Sequence, residues 1–258
     1  MASRQLFRFI PLLIALGTVA VVALFALAPG LDIEVSGRFY DAATRKFPMA
    51  TDTVIVLLRD LNRLVDILFA VLLGVAVLYK FWKPERPLLI GGRAMLYLAL
   101  TFALAPGVAA NVIFKENWAR PRPVHVTEFA GPAPFMQWYN PGGICRNNCS
   151  FFSGEVSAAA WTLAPAVLAP PGPLRAAAVA GALVFTAVIA VVRIAAGGHF
   201  LSDALFAFLA TALIVWAMYG AIYRGWWRAA TDAIIEARMT RFALRVRRLF
   251  GVKDPAQS

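Results

Sequence analysis

The stretch VVRIAAGGHFLSDALF, residues 191–206, sets Arg193, His199 and Asp203 between two segments that are otherwise almost wholly apolar. On a helix, a histidine and an aspartate four residues apart share one face, about 6 Å apart along the axis. The aspartate can then accept a bond from one imidazole nitrogen, fix the tautomer and leave the other nitrogen as a nucleophile or base. A capping and snorkelling pair at a loop has the same spacing, so the pair alone does not decide the chemistry.

Two more polar clusters widen the choice: KENWARPRP at 115–123 and SFFSGEVS at 150–157. Pooled with the first, they supply Lys115, Arg122 and Arg193 as cations and Ser153 and Gly154 at a helix start. A phosphomonoester carries about −1.5 to −2 charge near neutral pH, and fixed cations with helix-terminal amides are what binds such a group. Attack by His199 would form a phosphohistidine, with the cations stabilising charge on the equatorial oxygens. That chemistry needs neither metal nor cofactor, and none is expected.

The order and spacing of these clusters resemble the type 2 phosphatidic acid phosphatase superfamily, which also includes vanadium-dependent haloperoxidases. KENWARPRP fits KxxxxxxRP through Lys115, Arg122 and Pro123; FSGE is similar to PSGH; VRIAAGGHFLSD fits SRxxxxxHxxxD through Arg193, His199 and Asp203. The resemblance implies that His199 is the nucleophile and Asp203 its orienting partner. It implies that Lys115, Arg122, Arg193, Ser153 and Gly154 bind phosphate. Val192 stands where the family has serine, and Glu155 where it has the histidine that protonates the leaving oxygen.

A carboxylic acid can perform that protonation, so Glu155 is expected as general acid or its assistant. The plainer reading is an acidic residue favoured by the helix dipole. His125, two residues past the first motif, is the alternative proton donor, or a surface histidine. Cys145 and Cys149 flank RNN just before the second motif and are expected to pair in an oxidising compartment or remain free thiols; no further ligands lie nearby for zinc. Trp118, Phe135, Trp138 and Tyr139 suit the headgroup level, as lipid guides or as interfacial anchors.

The elements that must position these groups are membrane helices. Of 258 residues, 60% are hydrophobic and 15% charged. Long apolar windows fall at roughly 9–29, 94–114, 156–173, 176–192 and 204–223, and 64–82 qualifies if Asp66 and Lys80 lie near its ends. The expected fold is an all-α, polytopic bundle of six transmembrane helices with an outer-face active site. The first window, roughly 20 residues, exceeds the usual h-region of about 7–15 and is expected to be retained. DTVIVLLRDLNRL predicts a short interfacial helix before the second span. Pro106-Gly107 predicts a kink in the third, and the proline-rich segment 115–152 predicts irregular backbone.

Charge sets the orientation. With a cytoplasmic amino terminus, segments 1–8, 80–93, 175 and 224–258 hold 15 Lys+Arg against 4 Asp+Glu, whereas 32–63 and 115–155 hold 9 against 8. The positive-inside rule then places both termini in the cytoplasm and the three polar clusters together on the outer side; with the resemblance to bacterial lipid phosphatases, the expected location is the inner membrane with the site facing the periplasm. The net charge of +11 follows this topology rather than a nucleic-acid footprint, and no nucleic acid is expected as a partner. The chain reads as one domain, 1–258, whose basic tail 224–258 lies on anionic headgroups or ends in solvent.

The expected function is a phosphatase acting on a membrane lipid phosphate, with the bilayer as setting and no obligatory protein partner. The resemblance allows lipid A, phosphatidylglycerophosphate, phosphatidic acid or polyprenyl diphosphate as substrate, and NCSFFSGE looks most like bacterial members near the lipid A phosphatases. A lipid phosphotransferase is the near alternative, distinguished by an acceptor-dependent product. A Ser153–His199 intramembrane protease leaves the three cations and Asp203 without a role. A non-enzymatic membrane protein would be inert towards lipid phosphates.

Overall fold

In a computed structural model, residues 2–225 and 231–250 are described, with side chains from Phe9 onward. Residues 226–230 and 251–258 of the basic tail, and the side chains of Arg4 and Arg8, lie outside that description. Among the described residues the secondary structure is helical, apart from two isolated bridges.

Five helical segments are long and apolar enough to cross a membrane: Phe9–Leu27, Thr53–Trp82, Gly92–Lys115, Pro173–Ala195 and Leu201–Tyr223. They belong to helices α1 (Ala2–Leu27), α3 (Thr53–Trp82), α4 (Gly92–Phe102 with its continuation to Lys115), α7 (Pro173–Ala195) and α8 (Leu201–Tyr223). The remaining expected span, 156–173, is divided into α5 (Gly154–Trp161) and α6 (Leu163–Leu168). Pro165 cannot donate to the ladder, so the helix is interrupted at Thr162. α5 is the core of the bundle: it is buried almost throughout and packs on α7 and α8. Its alanines and Gly154 admit that close approach.

Two expectations change. α3 is one continuous helix from its Asp52 cap, so the interfacial helix and the second span are a single element. At 1.5 Å per residue its 30 residues reach about 45 Å, longer than hydrocarbon needs. Asp66 therefore sits mid-helix, not at an end, while Lys80 is near the far end, paired with Glu236 at 2.9 Å. In α4, Pro106 is absorbed by a switch to π-helical winding over Ala103–Lys115. The Asn111 amide donates to the Pro106 carbonyl at 2.6 Å.

The tail helix α9 (Asp232–Leu249) docks on the C-terminal end of α3 and the start of α4. Arg247 Nη1 donates to the Trp82 carbonyl at 2.8 Å, and the Arg93 amide donates to Asp232 Oδ1 at 2.9 Å. At the opposite end, a short helix α2 (Leu31–Gly37) and the segment 116–152 fold onto the bundle. They share a hydrophobic cluster of Phe47, Val126, Phe129 and Phe200, against which Ile33 of α2 packs. The segment carries two single 3₁₀ turns, Pro123–His125 and Thr127–Phe129, in otherwise irregular backbone. Trp118 stacks on Phe151 at 5.0 Å and Trp138 on Phe206 at 4.5 Å, so these aromatics pack mainly inward; Tyr139 is the exposed one.

Candidate active site

Four helix ends meet beside this folded segment: the end of α4 with Lys115, the start of α5 with Ser153 and Gly154, the end of α7 with Arg193, and the start of α8 with Asp203. α7 stops because Gly197, at φ 64°, takes a left-handed turn that a side chain would disfavour. The amides of Gly197, Gly198 and His199 fold back on the Ile194 and Arg193 carbonyls. His199 lies in this turn, before α8 begins at Leu201, rather than on the helix.

Its side chain is fully buried. Nδ1 lies 2.7 Å from the Ser150 carbonyl oxygen. A carbonyl only accepts, so Nδ1 carries the proton and the Nε2 lone pair is free. Burial pushes the imidazole down to about 4, with Asp203 pulling it back and Arg193 adding to the depression, so the ring is neutral near pH 7.

The bond anticipated from Asp203 to His199 is thus taken by Ser150, with Asp203 Oδ2 3.7 Å from Nδ1. Asp203 works one step back. Its Oδ2 accepts from Ser150 Oγ at 2.5 Å and from the Phe200 amide at 2.8 Å, the latter bond capping α8. Oδ1 accepts from Arg120 Nη1 at 2.5 Å.

Arg120 is completely buried and spends every nitrogen. Nη1 also donates to Ser202 Oγ, Nη2 to Asp32 Oδ2 at 2.7 Å and Nε to the Met136 carbonyl at 2.8 Å. Its guanidinium lies over the Phe200 ring, 4.4 Å from the centroid. Asp32, on α2, also accepts from the amide and hydroxyl of Ser202.

The cations gather as the motifs predict. Lys115 is within electrostatic reach of Arg122, Glu155 and Arg193, and His199 within reach of Arg193 and Arg122. Arg193 is buried against Gly198, where an added Cβ would collide with its guanidinium. A Cβ on Gly154 would stand 2.9 Å from Lys115 Nζ, so the ammonium rests over the first turn of α5. Arg122 is held by Asn148, donating to its carbonyl at 2.9 and 3.0 Å and to its Oδ1 at 2.7 Å. Asn148 sits inside the loop closed by the Cys145–Cys149 disulfide. Ser153 caps α5, its Oγ accepting from the Val156 amide at 3.3 Å.

Glu155 faces the cations. Its Oε2 is 3.3 Å from Arg193 Nε and its Oε1 3.6 Å from Arg59 Nη2, a residue of α3. Its backbone carbonyl accepts from Asn62 Nδ2 at 3.3 Å. His125, by contrast, is exposed at the end of its 3₁₀ turn.

A family model matches residues 95–227, the stretch that holds all three clusters, and its description is the PAP2 superfamily. The chain belongs to the PAP2 superfamily. Three relatives carry the name lipid A 4'-phosphatase. The protein from Francisella tularensis subsp. novicida (strain U112) is 30% identical over 205 residues, 78% of this chain and 90% of the relative. Those from Rhizobium leguminosarum and Rhizobium etli are 29% and 28% identical, over 76% of this chain and 88% and 80% of their own lengths. No solved structure matches the chain significantly.

Around His199 the structure gathers Lys115, Arg122, Ser153, Gly154, Glu155, Arg193 and Asp203, and adds Arg120, Asp32, Ser150, Arg59 and Asn62. Arg120 and Asp32 were readable only as charges in loops. Arg120 and Arg122 flank Pro121, yet Arg120 enters the core while Arg122 stays on Asn148, a divergence that the two-residue period of an extended chain does not record. For α3 there was a signal: polar residues recur at helical spacing through an apolar helix.

Proposed function

We propose that this chain is a membrane lipid phosphatase that hydrolyses the 4'-phosphate of lipid A through a phosphohistidine on His199. The observation that carries the reading is the buried imidazole with Nδ1 tied to Ser150, leaving Nε2 for attack, within reach of Arg122 and Arg193, which Lys115 in turn adjoins. Nε2 attacks phosphorus as the bond to the sugar oxygen breaks. The three cations and the amides at the start of α5 take up charge on the equatorial oxygens. Glu155 gives its proton to the departing oxygen, then takes one from water, which attacks the phosphohistidine, frees phosphate and restores the imidazole. Asp203, Ser150 and Arg120 hold the ring in place.

The names of the three relatives support lipid A as the substrate, and a bacterial inner membrane is the setting proposed for it. The excess of Lys and Arg at the α9 end supports cytoplasmic termini and a periplasmic site. α5 and α6 then form the sixth span, enclosed by the others, in a single domain.

Purified protein should release phosphate from lipid A faster than from phosphatidic acid, phosphatidylglycerophosphate or polyprenyl diphosphate. His199→Ala should abolish release. Labelled substrate should leave an acid-labile, base-stable phosphoenzyme in the parent and none in His199→Ala; turnover by that variant would overturn the mechanism. Glu155→Gln should slow lipid A about 10²- to 10³-fold and p-nitrophenyl phosphate far less, because that leaving group needs no proton. Equal losses on the two substrates would remove Glu155 as the acid.

A further inference from the structure

Arg59, Asn62, Arg63 and Asp66 are spaced at i, i+3, i+4 and i+7 and so fall on one face of α3, an otherwise apolar helix. With Asp60 and Glu155 they line a cavity of about 230 Å³. Glu155 is the common wall between this cavity and the phosphate cluster, through its contacts to Arg59 on one side and Arg193 on the other.

Buried polar atoms without a hydrogen-bond partner concentrate here. Arg59 Nε, Asn62 Oδ1 and Asp66 Oδ1 are three of eight such atoms among the described residues; two more, Glu155 Oε2 and Arg193 Nε, face each other as an ion pair at 3.3 Å. Asn62 is 1% exposed. Burying polar atoms without partners is costly, and gathering them on one wall is the arrangement of a surface that completes its bonds with a polar ligand.

The charges select among polar ligands. Asp60, Asp66 and Glu155 stand among Arg59, Arg63 and Asn62, a mixed wall with no excess of cations to hold a second phosphate. A sugar hydroxyl both donates and accepts, and so pairs at once with a carboxylate and with a guanidinium or amide. The volume suits one sugar ring, and the shared Glu155 wall puts that ring next to a phosphate lying over His199.

We infer that this face of α3 is a sugar subsite, which holds the hydroxyl and amide groups of the ring bearing the phosphate and selects phosphorylated glycolipids over glycerolipid phosphates. The reaction context rests on the phosphatase reading above; the binding of sugar does not.

Two measurements keep these apart. In the first, Arg63→Ala and Asp66→Asn are compared with the parent on lipid A and on phosphatidic acid in one detergent. The ratio of kcat/KM for lipid A over phosphatidic acid should fall about tenfold, chiefly through KM on lipid A. Proportional losses on both lipids, or none on either, would overturn the subsite. Arg63 is exposed and Asp66→Asn keeps side-chain size, so both variants should remain folded and monodisperse.

In the second, His199→Ala protein is titrated with a phosphate-free acylated glucosamine disaccharide, with and without Arg63→Ala. The disaccharide should bind, and the added substitution should weaken binding about tenfold. No binding, or binding indifferent to Arg63, would overturn the subsite. If the parent turns over no lipid phosphate, the phosphatase reading fails while this titration still decides the sugar site.

Discussion

Arg120 and Asp203 form a completely buried ion pair, Nη1 to Oδ1 at 2.5 Å, that ties the segment after α4 to the first turn of α8. Through Asp203 the pair reaches Ser150 Oγ, and the Ser150 carbonyl takes the His199 Nδ1 proton. The nucleophile candidate is thus positioned by a chain of three contacts instead of one.

Arg120→Met should leave Asp32 and Asp203 buried without their cation. A broken buried pair costs about 3–5 kcal/mol, so the unfolding midpoint in detergent should drop sharply. Asp32→Asn keeps an acceptor for the Ser202 amide and leaves Arg120 paired with Asp203, and should cost less. An Arg120→Met protein that melts with the parent would refute the network.

Burial holds His199 at about 4 against an ordinary 6.5. Above 6.5 both folded and unfolded chains leave it neutral. As pH falls from 6.5 to 4 the unfolded chain binds a proton that the folded one does not, so stability declines through that window and levels off below it. The full loss is about 3 kcal/mol. Unfolding midpoints measured from pH 7 to 5 should therefore slope less in His199→Asn than in the parent; matching slopes would contradict the assignment.

Gly198→Ala should displace the Arg193 guanidinium, because the new methyl group would occupy its place. Competitive inhibition by orthovanadate, a phosphate analogue, should weaken about tenfold. Gly154→Ala presses on the far ends of two side chains, Lys115 at 2.9 Å and Asn111 at 3.1 Å, and should cost less. Unaltered vanadate inhibition in Gly198→Ala would separate Arg193 from anion binding.

Reducing the Cys145–Cys149 disulfide should loosen the loop from which Asn148 holds Arg122. Closing so short a loop is worth about 2 kcal/mol of chain entropy. KM should rise severalfold with a smaller change in kcat, and the Cys145→Ser, Cys149→Ser double variant should respond to no reductant. A reductant effect that persists in the double variant would point to another origin.

The sequence by itself determined the helical class, five of the helices long enough to span a membrane, and the set Lys115, Arg122, Ser153, Gly154, Glu155, Arg193, His199 and Asp203. Apolar length and motif spacing are local properties that a linear chain carries openly. The tertiary structure alone decided that His199 bonds to Ser150, that Asp32 and Arg120 stand behind Asp203, and that α3 turns its polar face to Glu155. Those partners lie as many as 170 residues apart in the chain, as Asp32 and Ser202 do. Their pairing is fixed by which helix ends the packed bundle brings together, and no periodicity records that. The break between α5 and α6, by contrast, has a local cause in Pro165, which cannot donate to the helix ladder.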